Sequence, residues 1–148
     1  TLGDAGADRA IDGDTNGSYS AGSVSHTAQS PVSAMNQPWW QVDLGAVKDI
    51  GTVNVWNRTD SCCAQRLSDF YVLIAKEPFG NDDLATLLQR GDVTAQRFTT
   101  TAPNTVPRLT TATFTGDARY VRVQLASNGV PLHLAEVEVY PPVPSGGR

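Results

Sequence analysis

The sequence reads Trp40-Gln41-Val42-Asp43-Leu44-Gly45 from residue 40 to residue 45, and this stretch decides the fold class. Apolar and polar residues alternate there with a period of two, as they do along a strand that is buried on one face. Gly45 is expected to end the strand. The stretch therefore predicts a β-sheet that has a hydrophobic core on one side.

Further stretches have the pattern of strands, and they lie at residues 53–56, 70–74, 120–125 and 135–140. Three of them alternate, whereas residues 70–74 are continuously apolar, which is typical of a central strand. One short helix is expected to run through Leu88, with its first turn capped from the stretch Asn81-Asp82-Asp83. Many short strands and a single helix predict an all-β sandwich or barrel.

The composition limits the size of the protein and the class of its partners. The chain has 148 residues, of which 40% are hydrophobic, and this fits one domain with a substantial core. The net charge is −4 and the cations are scattered without a basic run, so nucleic acid is not an expected partner. No apolar stretch approaches the length of a membrane span, so membrane insertion is not expected either.

The end of the chain differs in composition from the rest. The stretch Pro141-Pro142-Val143-Pro144-Ser145-Gly146-Gly147 cannot continue a sheet and resembles a linker. We therefore expect a β-sandwich domain over residues 1–140 and a Pro/Gly-rich tail or linker over 141–148. Such a linker predicts that the domain is part of a larger multidomain protein.

The two cysteines of the chain, Cys62 and Cys63, are neighbours. The Cα atoms of adjacent residues lie about 3.8 Å apart, whereas disulfides usually hold them roughly 4.4–6.8 Å apart. A bridge between them would be strained, and it would close almost no loop, so it would add little stability. A rigid sulfur surface that contacts a ligand explains the pair better. The alternative is two buried free thiols.

Polar side chains that suit a sugar surround this pair. The planar donors of Arg58 and Arg66 can grip two vicinal hydroxyl groups, and Asp60 can hold one guanidinium in place. The alternative is a solvated loop with surface ion pairs of little energetic value. His26 lies in a polar region and can accept or donate one hydrogen bond to a sugar, while His133, between two leucines, is assigned no role.

Four motifs together resemble the F-type lectins, or fucolectins, of the discoidin-like group. They are His26-Thr27, the stretch from Pro38 to Gly45, the cluster Asn57-Arg58-Thr59-Asp60-Ser61-Cys62-Cys63-Ala64-Gln65-Arg66, and the strand from Ala135 to Tyr140. The arginine and cysteine cluster is the specific part, since discoidin-like sandwiches share the tryptophan stretch more widely. The resemblance runs from about Arg9 to Tyr140 and implies a jelly-roll β-sandwich.

The resemblance also implies a pocket for L-fucose. The residues it assigns to that pocket are His26, Arg58, Asp60, Cys62, Cys63, Arg66 and, as one wall, Tyr19. The imidazole and the two guanidinium groups would hydrogen-bond the sugar, the aspartate would orient the pocket, and a vicinal disulfide would stack on the ring. The chain departs from the family pattern at Ser61, which separates the aspartate from the cysteine pair.

A structural calcium ion is expected near the acidic loop at residues 9–17. Its closely spaced carboxylates and carbonyl groups suit Ca²⁺, which prefers six to eight oxygen ligands. The ligands implied by the resemblance are the carbonyl groups of Arg9 and Asp14, the side chains of Asp12 and Glu136, and Ser23. The alternative is a turn held by Asx hydrogen bonds without a metal.

The resemblance implies a lectin domain that recognises L-fucose on glycans, and we expect this domain to be secreted and bacterial. The sequence has no arrangement of nucleophile and base and none of the common hydrolase or nucleotide-binding motifs, so the domain is not expected to be an enzyme. The alternative function is a discoidin-like module for another sugar, such as galactose, appended to a larger enzyme. We interpret the glycosylation sequon at Asn57 as a chance match.

Overall fold

A computed structural model describes residues 25–26, 37–57, 67–80, 82–99, 109–127 and 132–142 of the chain. For residues 25, 26, 109 and 133 the description covers the backbone alone. In order, the elements are β1 (Ser25–His26), β2 (Trp39–Trp56), β3 (Phe70–Ala75), α1 (Leu84–Gln89), β4 (Val93–Phe98), β5 (Leu109–Leu125), β6 (His133–Leu134) and β7 (Glu136–Tyr140).

The described strands form two antiparallel sheets. Five strands lie in the order β4-β3-β5-β2-β7, and β1 pairs with β6 in a second sheet. The all-β class and the strand positions expected from the sequence are confirmed. No helix in the described ranges is long and apolar enough to cross a membrane.

One expectation about strand length was wrong, because Gly45 does not end β2. The strand spans 18 residues from Trp39 to Trp56, with a shift of register against β5 between Asp43 and Lys48. Gly45 lies in this irregular stretch with a φ of 87°, which glycine adopts more readily than other residues. Its backbone N–H donates to the side chain of Asp43 over 2.8 Å, so a local bulge replaces the expected end.

The core lies on one face of the five-stranded sheet and buries side chains from β2, β3, β5 and β7, together with Leu132 and Leu134. Its members include Val53, Val55, Phe70, Val72, Val121, Val123, Leu125, Leu132, Leu134 and Val137. Full burial of each such side chain contributes about 1.5–3 kcal/mol. The apolar residues of the strands therefore determine which face of the sheet is buried.

The opposite face explains why β3 is apolar throughout. Leu73 and Ala75 belong to a second cluster, in which Leu84 and Leu87 of α1 are also buried. The helix begins after Asp83, whose side chain accepts a hydrogen bond from the N–H of Thr86 over 2.9 Å. The predicted helix is thereby confirmed, and β3 has apolar neighbours on both faces.

Arg122 is fully buried on this second face. Its guanidinium carbon lies 4.0 Å from the centroid of the Trp39 ring and 4.7 Å from that of Phe79. Two of its nitrogens donate to the side-chain oxygen of Gln41 over 3.1 and 2.8 Å. Burial lowers the pKa of Arg122 to about 10, so the side chain stays charged at neutral pH.

Candidate functional site

Two buried residues bound the segment that carries the arginine and cysteine cluster. Asn57, directly after β2, is 0% exposed, and Leu67, where the description resumes, is 1% exposed. Arg58, Asp60, Cys62, Cys63 and Arg66 lie between them, outside the described residues. Buried residues therefore lie on both sides of the cluster segment in the sequence.

The start of β7 lies beside the end of β2. Glu136 is the Cα partner of Trp56, and the backbone N–H of Ala135 donates to the carbonyl oxygen of Trp56 over 2.9 Å. Residues 135 and 136 are therefore held next to the point where the cluster segment begins.

The second sheet brings His26 to the same end of the molecule. His26 is the Cα partner of His133, and Ser25 is the partner of Leu134. β1 pairs with β6, and Ala135, directly after β6, is hydrogen-bonded to Trp56 at the end of β2. The backbone thus places His26 at the end of the sheet where the arginine segment begins. Tyr19 lies outside the described residues.

Glu136 is the one calcium candidate that the structure describes. It is 4% exposed, although it alternates with the core residue Val137. A buried carboxylate needs hydrogen bonds or a cation to offset its lost hydration. The other expected ligands, Arg9, Asp12, Asp14 and Ser23, lie outside the described ranges. Inside those ranges, no three His, Cys, Asp or Glu side chains are grouped as a metal site would require.

The exposed arginines in the described part of the chain already have partners. Arg97 makes two hydrogen bonds to Asp69, and Arg119 makes two to Asp43. These pairs lie on the exposed surface, and the hydrogen bonds from arginine hold the pKa of each aspartate below its usual value. They form surface ion pairs rather than a ligand site.

The sequence did not predict a polar network near the end of β2. The indole N–H of Trp56 donates to Glu138 over 2.6 Å, and the hydroxyl of Tyr140 donates to the other carboxylate oxygen over 3.0 Å. The hydrogen bond to Glu138 raises the pKa of Tyr140 above its usual value. Alternation places these side chains on one face, but only the register of β2 against β7 makes them neighbours.

The burial of Asn57 bears on the glycosylation sequon. Its side chain is 0% exposed, so the folded domain offers no space for a glycan there. The interpretation of the sequon as a chance match is consistent with this burial.

A protein-family model described as a NedA-like, galactose-binding domain of F5/F8 type C matches residues 9–123. Fucolectin-1 of Anguilla japonica is 36% identical over 132 residues, which cover 88% of this chain and 65% of the fucolectin. The chain therefore spans slightly less than two thirds of that relative's length.

Two solved structures extend the likeness to three dimensions. The lectin domain of lectinolysin, in complex with Lewis B antigen, is 34% identical with a TM-score of 0.78, and the match covers 97% of this chain and 89% of that one. The fucose binding module SpX-3 of Streptococcus pneumoniae is 32% identical with a TM-score of 0.72, over 93% and 85% of the two chains. The expected discoidin-like β-sandwich is thereby confirmed.

Proposed function

The chain belongs to the family of NedA-like, galactose-binding domains of F5/F8 type C, and on that premise we propose that it is a lectin domain that binds L-fucose-bearing glycans without catalysing a reaction. The observation that carries the proposal is the likeness to fucolectin-1 and to the two fucose-associated lectin structures over nearly the whole chain. The backbone pairing that brings β1 to the end of β2 supports it.

Seven side chains would form the sugar pocket, because a vicinal disulfide of Cys62 and Cys63 would stack on the ring beside five polar and aromatic side chains. His26, Arg58 and Arg66 would hydrogen-bond the ring oxygen and hydroxyl groups, and Asp60 would orient the guanidinium groups. Tyr19 would form one wall of the pocket around the methyl group of the sugar. Charge-assisted hydrogen bonds contribute about 1.5–3 kcal/mol each, and association costs reduce the sum. We expect a dissociation constant of about 0.1 mM for a single fucose, which corresponds to roughly −5.5 kcal/mol, so useful avidity would need several copies.

Calorimetric titration with L-fucose, and with D-galactose as the control sugar, tests this function. We expect saturable fucose binding, with Arg58→Ala and Arg66→Ala each weakening it at least about tenfold. Arg97→Ala is the matched control, because Arg97 is half exposed and pairs with Asp69 on the described surface. Absence of fucose binding by the folded domain would contradict the proposal.

The description of the matching family favours a second candidate function, the binding of galactose. In that case we propose that the module is appended to a larger enzyme. The same titration separates the two candidates. If the domain binds galactose saturably but does not bind fucose, and if Arg58→Ala still binds galactose, galactose binding becomes the better supported function.

We also propose a structural calcium ion held by Glu136 together with Arg9, Asp12, Asp14 and Ser23. The burial of the Glu136 carboxylate supports this assignment, since a cation would offset its lost hydration. The ion would supply positive charge and would tie the N-terminal region to β7.

Metal analysis of protein purified without chelator tests the calcium proposal, and about one calcium per chain is expected. Chelation should lower the Tm of the unmodified domain but should have little further effect on Glu136→Gln. Glu138→Gln is the control, because Glu138 lies two residues after Glu136 in β7 and accepts hydrogen bonds from Trp56 and Tyr140. Calcium-free protein from the first analysis would contradict the proposal.

The remaining proposals concern the surroundings of the domain. We propose that it is secreted by a bacterium as part of a larger protein, and that Cys62 and Cys63 form a vicinal disulfide in that oxidising environment. Mass spectrometry after alkylation should find neither cysteine modified unless a reductant is added first. Alkylation of both cysteines in native, unreduced protein would contradict the disulfide.

A further inference from the structure

Trp39, the first residue of β2, exposes a large aromatic surface that the proposed fucose pocket does not include. The residue is 44% exposed, although the guanidinium carbon of Arg122 lies 4.0 Å from the centroid of its ring. The arginine therefore covers one face of the indole and holds the ring, while the rest of the ring meets solvent. A fixed indole provides a large contact surface at a low cost in conformational entropy, which suits the binding of a ligand.

Gln41 lies two residues further along β2, on the same face of the strand as Trp39. Its side-chain oxygen accepts hydrogen bonds from Nε and Nη2 of Arg122 over 3.1 and 2.8 Å. Because the guanidinium binds the oxygen, the two N–H donors of the carboxamide point away from it, on a side chain that is exposed. An oriented pair of hydrogen-bond donors therefore lies beside the indole ring.

Arg122 itself is not accessible to a ligand. It is fully buried between Trp39 and Phe79, and its third hydrogen bond goes to the oxygen of Gln124, which is 3% exposed, over 3.4 Å. Burial of a guanidinium is costly unless its donors are satisfied, and here side-chain oxygens of β2 and β5 accept from it. The arginine thus orients an indole and a carboxamide from beneath the surface.

We propose that Trp39 and Gln41 form a second carbohydrate site, which binds the N-acetylglucosamine units of β-linked glycans. A pyranose with equatorial substituents presents axial C–H groups on its faces, and such a face can stack on the uncovered part of the indole. The acetamido oxygen of the sugar accepts from the carboxamide of Gln41, about 6.6 Å along the strand. Both accessible groups are uncharged, which favours a neutral sugar over an anionic one.

Titration with N,N′-diacetylchitobiose, followed by NMR of the indole N–H groups, tests this site. The chain has three tryptophans, and Trp39→Phe assigns the resonance of Trp39. We expect this resonance to shift saturably, and to shift more than those of Trp40 and Trp56. The same shift is expected in Arg58→Ala, because the second site does not depend on the fucose pocket.

Two results of this titration would overturn the inference. If Arg58→Ala abolishes the shift, the disaccharide binds in the fucose pocket and not at Trp39. If the Trp39 resonance does not move, the second site does not exist. Neither result decides the proposed fucose binding, which calorimetry with L-fucose tests separately.

The affinities of two variants give a second readout. Trp39→Ala should weaken binding of the disaccharide at least about tenfold through loss of the stacking surface, and Gln41→Ala by about three- to tenfold through loss of a hydrogen bond. Tyr140→Ala is the matched control and should bind normally, because Tyr140 is an aromatic residue of similar exposure, 46%, in another strand. Full affinity in either folded variant of the site would overturn the inference.

A second disaccharide tests the contact with the acetamido group. Cellobiose has the same linkage but lacks the acetamido groups, so it should bind the unmodified chain more weakly than N,N′-diacetylchitobiose does. Gln41→Ala should remove this difference, because the donor that distinguishes the two sugars is gone. Equal affinities of the unmodified chain for the two disaccharides would overturn the assignment of N-acetylglucosamine to the site.

Discussion

The backbone of Pro142 passes directly over Gly51, so closely that a Cβ atom on Gly51 would lie 2.4 Å from the Cα of Pro142. Gly51 is buried within β2, and Pro141 and Pro142 follow the last residue of β7. The first residues after β7 therefore pack on the sheet, and glycine is required where they cross it.

The first prediction concerns this crossing. Gly51→Ala should lower the free energy of unfolding by about 1–3 kcal/mol, because the added methyl group must displace the proline backbone. Gly116→Ala is the matched control, since a Cβ there meets nothing within 4 Å. Urea denaturation measures both variants. Equal effects of the two substitutions would contradict the close approach.

A truncation refines this test. Removal of residues 141–148 should itself cost some stability. In the truncated chain, however, Gly51→Ala should cost much less than it does in the whole chain, because the proline atoms that clash with the methyl group are then gone. If Gly51→Ala lowers the free energy of unfolding as much after truncation as before it, the destabilisation comes from the strand itself and not from the prolines.

The second prediction concerns the guanidinium of Arg122 between Trp39 and Phe79. Arg122→Ala should lower the free energy of unfolding by about 3 kcal/mol, because it leaves a void between the two rings. Arg122→Met fills most of that void without a buried charge and should cost clearly less. Urea unfolding followed by tryptophan fluorescence compares them. Equal losses would show that the charge and its hydrogen bonds, rather than volume, stabilise this face.

The third prediction concerns stability in acid. Hydrogen bonds from Arg119 and Arg97 hold the pKa values of Asp43 and Asp69 below their usual range in the folded state. Their stabilising effect is therefore complete above the ordinary carboxyl pKa of about 3.9 and is lost as the pH falls through the lowered values. The double variant Asp43→Asn, Asp69→Asn should lose less of its Tm between neutral pH and strong acid. Parallel curves of Tm against pH would refute this expectation.

The fourth prediction concerns the phenol of Tyr140. The hydrogen bond it donates to Glu138, and the negative charge of that carboxylate, favour the protonated phenol and raise its pKa. Glu138→Gln removes the charge, so the pKa of Tyr140 should fall toward its ordinary value. Carbon-13 NMR of the tyrosine rings measures the titration, with Tyr140→Phe for assignment. An unchanged titration in Glu138→Gln would exclude the interaction in solution.

Alternation in the sequence was sufficient to locate most of the sheet. It identified β2, β3, β5 and β7, because each of them contributes apolar side chains to the core and, in β3, apolar neighbours lie on both faces. It did not show that β2 runs on past Gly45. A glycine at positive φ fits both a turn and a bulge, and only pairing with β5 decides between them.

Long-range packing accounts for what the sequence did not predict. Arg122 alternates with core valines, so the pattern places it on a surface, yet Phe79 and Trp39 cover it completely. The partnership of His26 with His133 likewise depends on the register between distant strands. For the pocket itself, residue types and family likeness support Arg58 and Arg66, which await the binding experiments.

The hydrogen bond between Trp56 and Glu138 joins residues 82 positions apart in the chain. β7 is the last strand that the structure describes, yet it pairs with β2, which is the first strand of the five-stranded sheet along the chain. During synthesis, a ribosome must therefore release β7 before the edge of β2 can be covered. Such distant pairing slows folding, and until it is complete the unpaired edge of β2 is exposed to other nascent chains.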